Sequence, residues 1–133
     1  MSRRKEVAVP KVPASATVQD AAKVLMDLGV GCLVVVDARQ KPLGILTDRD
    51  LALRVVADAR APRRTTARMV MSTPLVAAEA SDSSEAILTR MEAHGVRRVP
   101  VLRDGKVIRI VTLDELLLEI GEEIADLGHA VRR

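Results

Sequence analysis

The chain of 133 residues has room for one compact domain or two very small ones, and its 48% hydrophobic content supplies enough apolar material for a packed core. Phe, Trp and Tyr are absent, which excludes single-strand nucleic-acid binding on stacked aromatic rings, and a lone cysteine, Cys32, excludes an internal disulfide and a Cys-rich zinc site. The formal charge of +3 is polarised: Arg54, Arg60, Arg63, Arg64 and Arg68 stand against one acid, Asp58, in the middle, whereas Asp114, Glu115, Glu119, Glu122, Glu123 and Asp126 crowd the end.

The first copy of a repeated pattern opens with a short extended piece at Val7 to Val12. Thr17-Val18-Gln19-Asp20 reads as a capped helix start, with Val18, Ala21, Ala22, Leu25 and Met26 at helical spacing and Gly29 as the C-cap. The β-branched run Leu33 to Val36 predicts a strand, Asp37 to Pro42 a turn, and Leu43 to Thr47 the return strand, with a second helix from about Asp48. The Arg-rich stretch Ala59 to Ala67 reads as an exposed linker. The order then recurs: an extended piece at Pro74 to Ala77, a helix start at Asp82-Ser83-Ser84-Glu85, apolar Ala86, Ile87 and Met91, Gly95, strands at Val99 to Leu102 and Val107 to Thr112, and a helix from Leu113. Thr17 and Asp82, Asp20 and Glu85, Ala21 and Ala86, Met26 and Met91, Thr47 and Thr112, and Leu51 and Leu116 stand 65 positions apart. A unit of roughly 60 residues cannot bury both faces of a sheet alone, so two copies packed about a pseudo-twofold are expected. The boundaries read as 7–58, a linker at 59–68, 69–121, and an extension at 122–133.

No apolar run approaches the roughly 18 to 20 residues of a membrane span, and Met1-Ser2-Arg3-Arg4-Lys5-Glu6 lacks the apolar stretch of a secretion signal. A cytoplasmic location with no membrane partner is expected. Nucleophilic catalysis has poor material: His94 and His129 read as surface or capping residues and Cys32 as a small buried hydrophobe, with no Gly-x-Ser-x-Gly elbow and no phosphate-binding glycine loop.

The informative segment is Gly44-Ile45-Leu46-Thr47-Asp48-Arg49-Asp50. A strand delivers Thr47 to a helix start, where orphan N–H groups and the helix dipole favour an anion. Asp50, one turn along, can accept both hydroxyls of a ribose; Gly44 permits close approach to the strand, Ile45 can cover a purine face, and Arg49 adds positive charge. The same Thr-x-x-Asp spacing is also an ordinary capping box, worth about 0.5 to 2 kcal/mol, and both roles can hold together.

These residues resemble the paired CBS domain, or Bateman module, over about residues 7–121. The resemblance is carried by Pro42-Leu43-Gly44-Ile45-Leu46-Thr47-Asp48-Arg49-Asp50-Leu51, Met71-Ser72-Thr73-Pro74 and Gly95-Val96-Arg97-Arg98-Val99-Pro100-Val101. It implies an α/β fold of two βαββα units, and a regulatory module rather than an enzyme. The implied ligand is adenosine-containing: AMP, ADP or ATP first, S-adenosylmethionine or NAD after them. It further implies that Thr47 and Asp50 meet Thr73, Ala78, Arg97, Arg98 and Pro100, with Ile45 and Val99 against the base and Arg49, Arg97 and Arg98 around the phosphate. In the second copy Arg109 replaces the expected glycine and Glu115 the expected aspartate. Its cleft would face Pro10 to Pro13, Gly31 and Cys32, which offer no cation, so Ile110, Thr112 and Glu115 form a weaker second site. No resident cofactor or metal is expected.

From Asp114 onward, Leu116, Leu117, Ile120, Ile124, Leu127 and Val131 make one face of a long amphipathic helix. Packing on its own domain and pairing with a second copy are both open, and the resemblance favours a homodimer that signals to an unidentified effector protein. The alternative function is a ligand-free homo-oligomerisation module. Nucleic-acid contact through Arg54 to Arg68 is disfavoured by the small total charge.

Overall fold

The computed structural model describes residues 9 to 131; Val7 and Ala8 of the expected first extended piece lie outside it, as do the side chains of His129 and Val131. The chain divides after Leu75 into two compact units. The first contains β1 (Lys11–Pro13), α1 (Val18–Leu28), β2 (Cys32–Val36), β3 (Pro42–Thr47), α2 (Asp48–Leu51), which opens into a π-helical turn over Ala52–Val56, and α3 (Ala67–Val70). The second contains β4 (Ala78–Glu79), α4 (Ser84–His94), β5 (Arg98–Arg103), β6 (Lys106–Thr112) and α5 (Leu113–Val131). Each unit has a three-stranded sheet in chain order, its first pair parallel and its second antiparallel.

The two sheets repeat each other in register. Cys32 pairs with Thr47 as Arg98 pairs with Thr112, Leu33 with Leu46 as Val99 with Val111, and both hairpins carry an irregularity at the same place, Val35/Val36 and Val101/Leu102. The turns differ: five residues separate the paired Val36 and Pro42, four the paired Leu102 and Val107. Asp104 (φ 52°) and Gly105 (φ 76°) both take positive φ, the conformation a two-residue hairpin requires. In the longer turn, Asp37 Oδ1 instead accepts from the amides of Arg39 (2.8 Å) and Lys41 (2.9 Å).

That extra residue corrects the 65-residue alignment of the helices. Thr17 and Ser83 are the true N-caps, and Gly29 and Gly95, both at φ 64°, the C-caps, each pair 66 positions apart. Met91 therefore corresponds to Leu25, not Met26: Leu25 and Met91 are buried in their respective cores, whereas Met26 is 73% exposed. Asp82, expected at the helix start, lies just before it. Its Oδ2 accepts from the Glu79 amide (2.8 Å) and from Arg90 Nη1 (3.0 Å), and Arg90 also donates to the Ala77 carbonyl (2.8 Å). The Glu79 bond first, and then Arg90, hold the Asp82 carboxyl below its ordinary value of 3.8. The stability this contributes is present above that ordinary value and disappears as the pH falls through the lowered one. Asp82→Asn is expected to lower the melting temperature at neutral pH, with the gap to the parent closing only below pH 3.8, in thermal unfolding across the acid range.

The first core gathers Val12, Val18, Ala21, Leu25, Leu33, Val35, Leu46, Val55, Ala67 and Val70; the second gathers Ala78, Ile87, Met91, Val99, Val101, Val111 and Leu116. β2 is buried at every position, as its unbroken apolar run requires. The segment expected as an exposed linker is only partly so. Residues 59–64 are exposed, but Thr65 is 4% and Ala67 0% exposed. The carbonyls of Thr65 and Pro62 accept from the amides of Val18 (2.8 Å) and Gln19 (3.3 Å), satisfying orphan donors at the start of α1. The Arg-rich stretch thus caps a helix. In α5, Leu116 is buried, while Leu117, Leu118, Ile124 and Leu127 are all more than half exposed. No helix among the described residues is long and apolar enough to cross a membrane.

Candidate functional site

β3 builds the site by strand alternation: Pro42, Gly44 and Leu46 are buried, and Leu43, Ile45 and Thr47 share the half-buried face. Thr47 then caps α2. Its Oγ1 accepts from the Asp50 amide (3.1 Å), and Asp50 Oδ2 accepts in return from the Thr47 amide (2.9 Å), so the capping box is formed. The Asp48 amide donates to the Gly31 carbonyl (3.0 Å) and the Arg49 amide to Asp48 Oδ1 (2.8 Å). This corrects the expectation of orphan N–H groups awaiting an anion: the amides from Thr47 to Asp50 are all bonded within the unit. A phosphate here has to be met by side chains.

The Met71–Ser72 segment completes the site. The Ser72 amide and carbonyl pair with Ile45 (Ser72 N to Ile45 O 2.7 Å, Ile45 N to Ser72 O 3.3 Å), and Ser72 Oγ lies 3.3 and 3.4 Å from the two oxygens of Asp50. Arg54 Nη1 donates to the carbonyls of Val70 (2.9 Å) and Met71 (3.0 Å), while its Nε stands 3.9 Å from Asp50 Oδ1. Gly44 is explained by this approach. A Cβ there would lie 2.7 Å from the Ser72 carbonyl oxygen and 2.9 Å from Met71 Sδ. The close neighbour expected at Gly44 is the chain itself.

Of the residues expected at the site, Gly44, Ile45, Thr47, Arg49 and Asp50 come together at the end of β3 and the start of α2. Thr73, expected to approach from the second unit, is exposed and falls with the first unit. In the second unit Arg97 is exposed and its carbonyl accepts from the Leu113 amide (2.8 Å), as Gly31 does from Asp48 in the first. Arg98 is half-buried at the head of β5 and Pro100 is buried. Val99 and Ala78 are corrected: both side chains are buried in the second core, so Val99 has no side-chain surface with which to cover a base. Thr112 and Glu115 repeat the first arrangement only in part, and Ile110 is half-buried as Ile45 is. The Glu115 amide donates to Thr112 Oγ1 (3.2 Å) and the Thr112 hydroxyl lies 3.3 Å from Glu115 Oε1, with Arg109 exposed at the position of Gly44. Ser72 was missed as a site residue because it reaches Asp50 from 22 positions away; Arg54, one helical turn after Asp50 on the same face, was read only as part of the basic stretch. The one signal was the glycine at position 44, whose missing side chain implies a close neighbour. Among the described residues no cluster of three His, Cys, Asp or Glu side chains is placed to hold a metal.

The CBS domain family profile matches residues 3–57 and 67–122. A CBS domain-containing protein of Bacillus subtilis, YhcV, is 36% identical over 127 residues, spanning 91% of this chain and 89% of its own. A Methanopyrus kandleri protein is 35% identical over 106 residues, which cover 79% of this chain but only 54% of that relative. Among solved structures, a CBS domain protein of Pyrobaculum aerophilum complexed with AMP superposes with a TM-score of 0.75 over 86% of this chain and 92% of its own; at 22% identity this likeness speaks for the fold. Two profile matches, on the two units whose strand registers coincide, make the chain a member of the CBS-domain family that carries a pair of the domains.

Proposed function

We propose that this CBS pair is a regulatory module that binds an adenine nucleotide, AMP, ADP or ATP, and passes its occupancy to a partner protein, acting as a homodimer. The observation that carries this reading is the Asp50 carboxylate. It is fixed by the Thr47 amide on the half-buried face that also bears Ile45, and its side chain keeps 13% exposure. A carboxylate so held is an acceptor for the two hydroxyls of a ribose, with Ile45 beside it as an aliphatic surface for the base. Because the helix-start amides are already bonded, the phosphate falls to Arg49 and to Arg97 and Arg98, the cations that the family resemblance assigns to it. The AMP bound to the Pyrobaculum relative agrees with this ligand class.

Isothermal calorimetry with AMP, ADP and ATP tests the reading. The protein is expected to bind at least one of them, and Asp50→Ala to abolish binding while lowering stability by about 1 kcal/mol, the worth of a cap contact. Absence of heat from all three at millimolar concentration overturns it. The second reading, a ligand-free homo-oligomerisation module, is favoured by the exposed Leu117, Leu118, Ile124 and Leu127 of α5. Self-association without nucleotide heat would select it.

A further inference from the structure

Asp50 is the acceptor on which the nucleotide reading rests, yet its carboxylate already has a hydroxyl partner. Ser72 Oγ stands almost equidistant from the two oxygens, 3.3 Å from Oδ1 and 3.4 Å from Oδ2. A ribose diol must use both oxygens, so its hydroxyls need the place that the serine hydroxyl fills. Oδ2 also accepts from the Thr47 amide at 2.9 Å, and Arg54 Nε stands 3.9 Å from Oδ1. With 13% of the Asp50 side chain exposed, there is little room for a ligand to enter beside Ser72 rather than in place of it.

Nor does Ser72 sit there loosely. Its amide and carbonyl are both paired with Ile45, the absent side chain of Gly44 lets its carbonyl approach β3, and Arg54 grips the two carbonyls just before it. The two contacts between Ser72 and Asp50 are long for O–H···O bonds, which are commonly about 2.7 to 2.8 Å, so a better-placed hydroxyl can win the carboxylate. We infer that Ser72 is an internal competitor for the vicinal diol of the ligand at Asp50, its hydroxyl rotating away when the site fills while its backbone stays paired with Ile45. This rests on the nucleotide reading and adds to it a residue that sets affinity for the sugar.

The test compares the full chain with Ser72→Ala by calorimetry against AMP and 2′,3′-dideoxy-AMP. Removing the competing hydroxyl is expected to tighten AMP binding about twofold, the low end of a hydrogen bond's worth because both contacts are long, and to leave dideoxy-AMP binding unchanged. Ser72→Cys, which keeps a single γ atom on Cβ but has only a weak donor on a somewhat larger atom, should shift AMP affinity in the same direction. Equal or weaker AMP binding by Ser72→Ala, or an equal gain with dideoxy-AMP, overturns the competitor role and leaves the nucleotide reading standing. Absence of AMP heat from both parent and variant removes both.

Discussion

Leu46→Ala is expected to lower the free energy of unfolding by about 2 to 5 kcal/mol, measured by urea denaturation. Leu46 is fully buried, and it faces the equally buried Leu33 across the β2–β3 ladder within the core that also holds Val55, Ala67 and Val70. The core around it draws on the sheet, α1, the π-helical turn after α2, and α3. A cavity at this point cannot be filled by one side chain swinging inward, because its neighbours are themselves tied to strand or helix backbone. Domain stabilities are commonly about 5 to 15 kcal/mol, so the loss would consume a large part of what holds the first unit together. The site should suffer with it, since Ile45 and Thr47 flank Leu46 on the same strand. A loss below about 1 kcal/mol would show that the core is far more plastic than its burial implies.

Gly44→Ala is expected to cost about 1 to 3 kcal/mol, although it adds a single methyl group. The new Cβ would meet the Ser72 carbonyl oxygen at 2.7 Å, a backbone atom that can retreat only by giving up its bond from the Ile45 amide. Met71 Sδ at 2.9 Å is the softer contact and can rotate away. The variant should therefore lose hydrogen-exchange protection at Ile45 and Ser72 as well as stability. An unchanged melting temperature together with unchanged protection at both amides would refute the close approach. The second copy carries Arg109 at the matching position, exposed, so the constraint belongs to the first unit and not to the repeat as such.

Much of the fold was legible in the residues before any coordinates. The glycines that end α1 and α4, the Asp-Gly turn, the β-branched strands and the Thr47–Asp50 box are all short-range features. Each is decided by backbone dihedral limits or by a hydrogen bond across three or four residues. The site was legible to the same range. Thr47 and Asp50 were found because their chemistry is local, while Ser72 was not, because it reaches Asp50 through the folding of α3 back along β3; Arg54, four residues after Asp50, was within local reach and was overlooked.

Two misreadings have separate physical origins. A one-residue difference in turn length slid the helix alignment by a position, and one position on a helix is 100° of rotation, enough to put Met26 in water and Leu25 in the core. The Arg-rich stretch looked like a solvated linker because its composition is polar, but a polar segment can still spend its carbonyls on the bare amides of another helix, as Pro62 and Thr65 do for α1. Sequence alone was sufficient to establish that the chain is two copies of one unit, with their caps and hairpins. Which side chain of each copy is buried, that the amides at Thr47 to Asp50 are already bonded, and that a serine hydroxyl stands on Asp50 were settled only by tertiary structure, since these depend on distances between residues that no local pattern encodes.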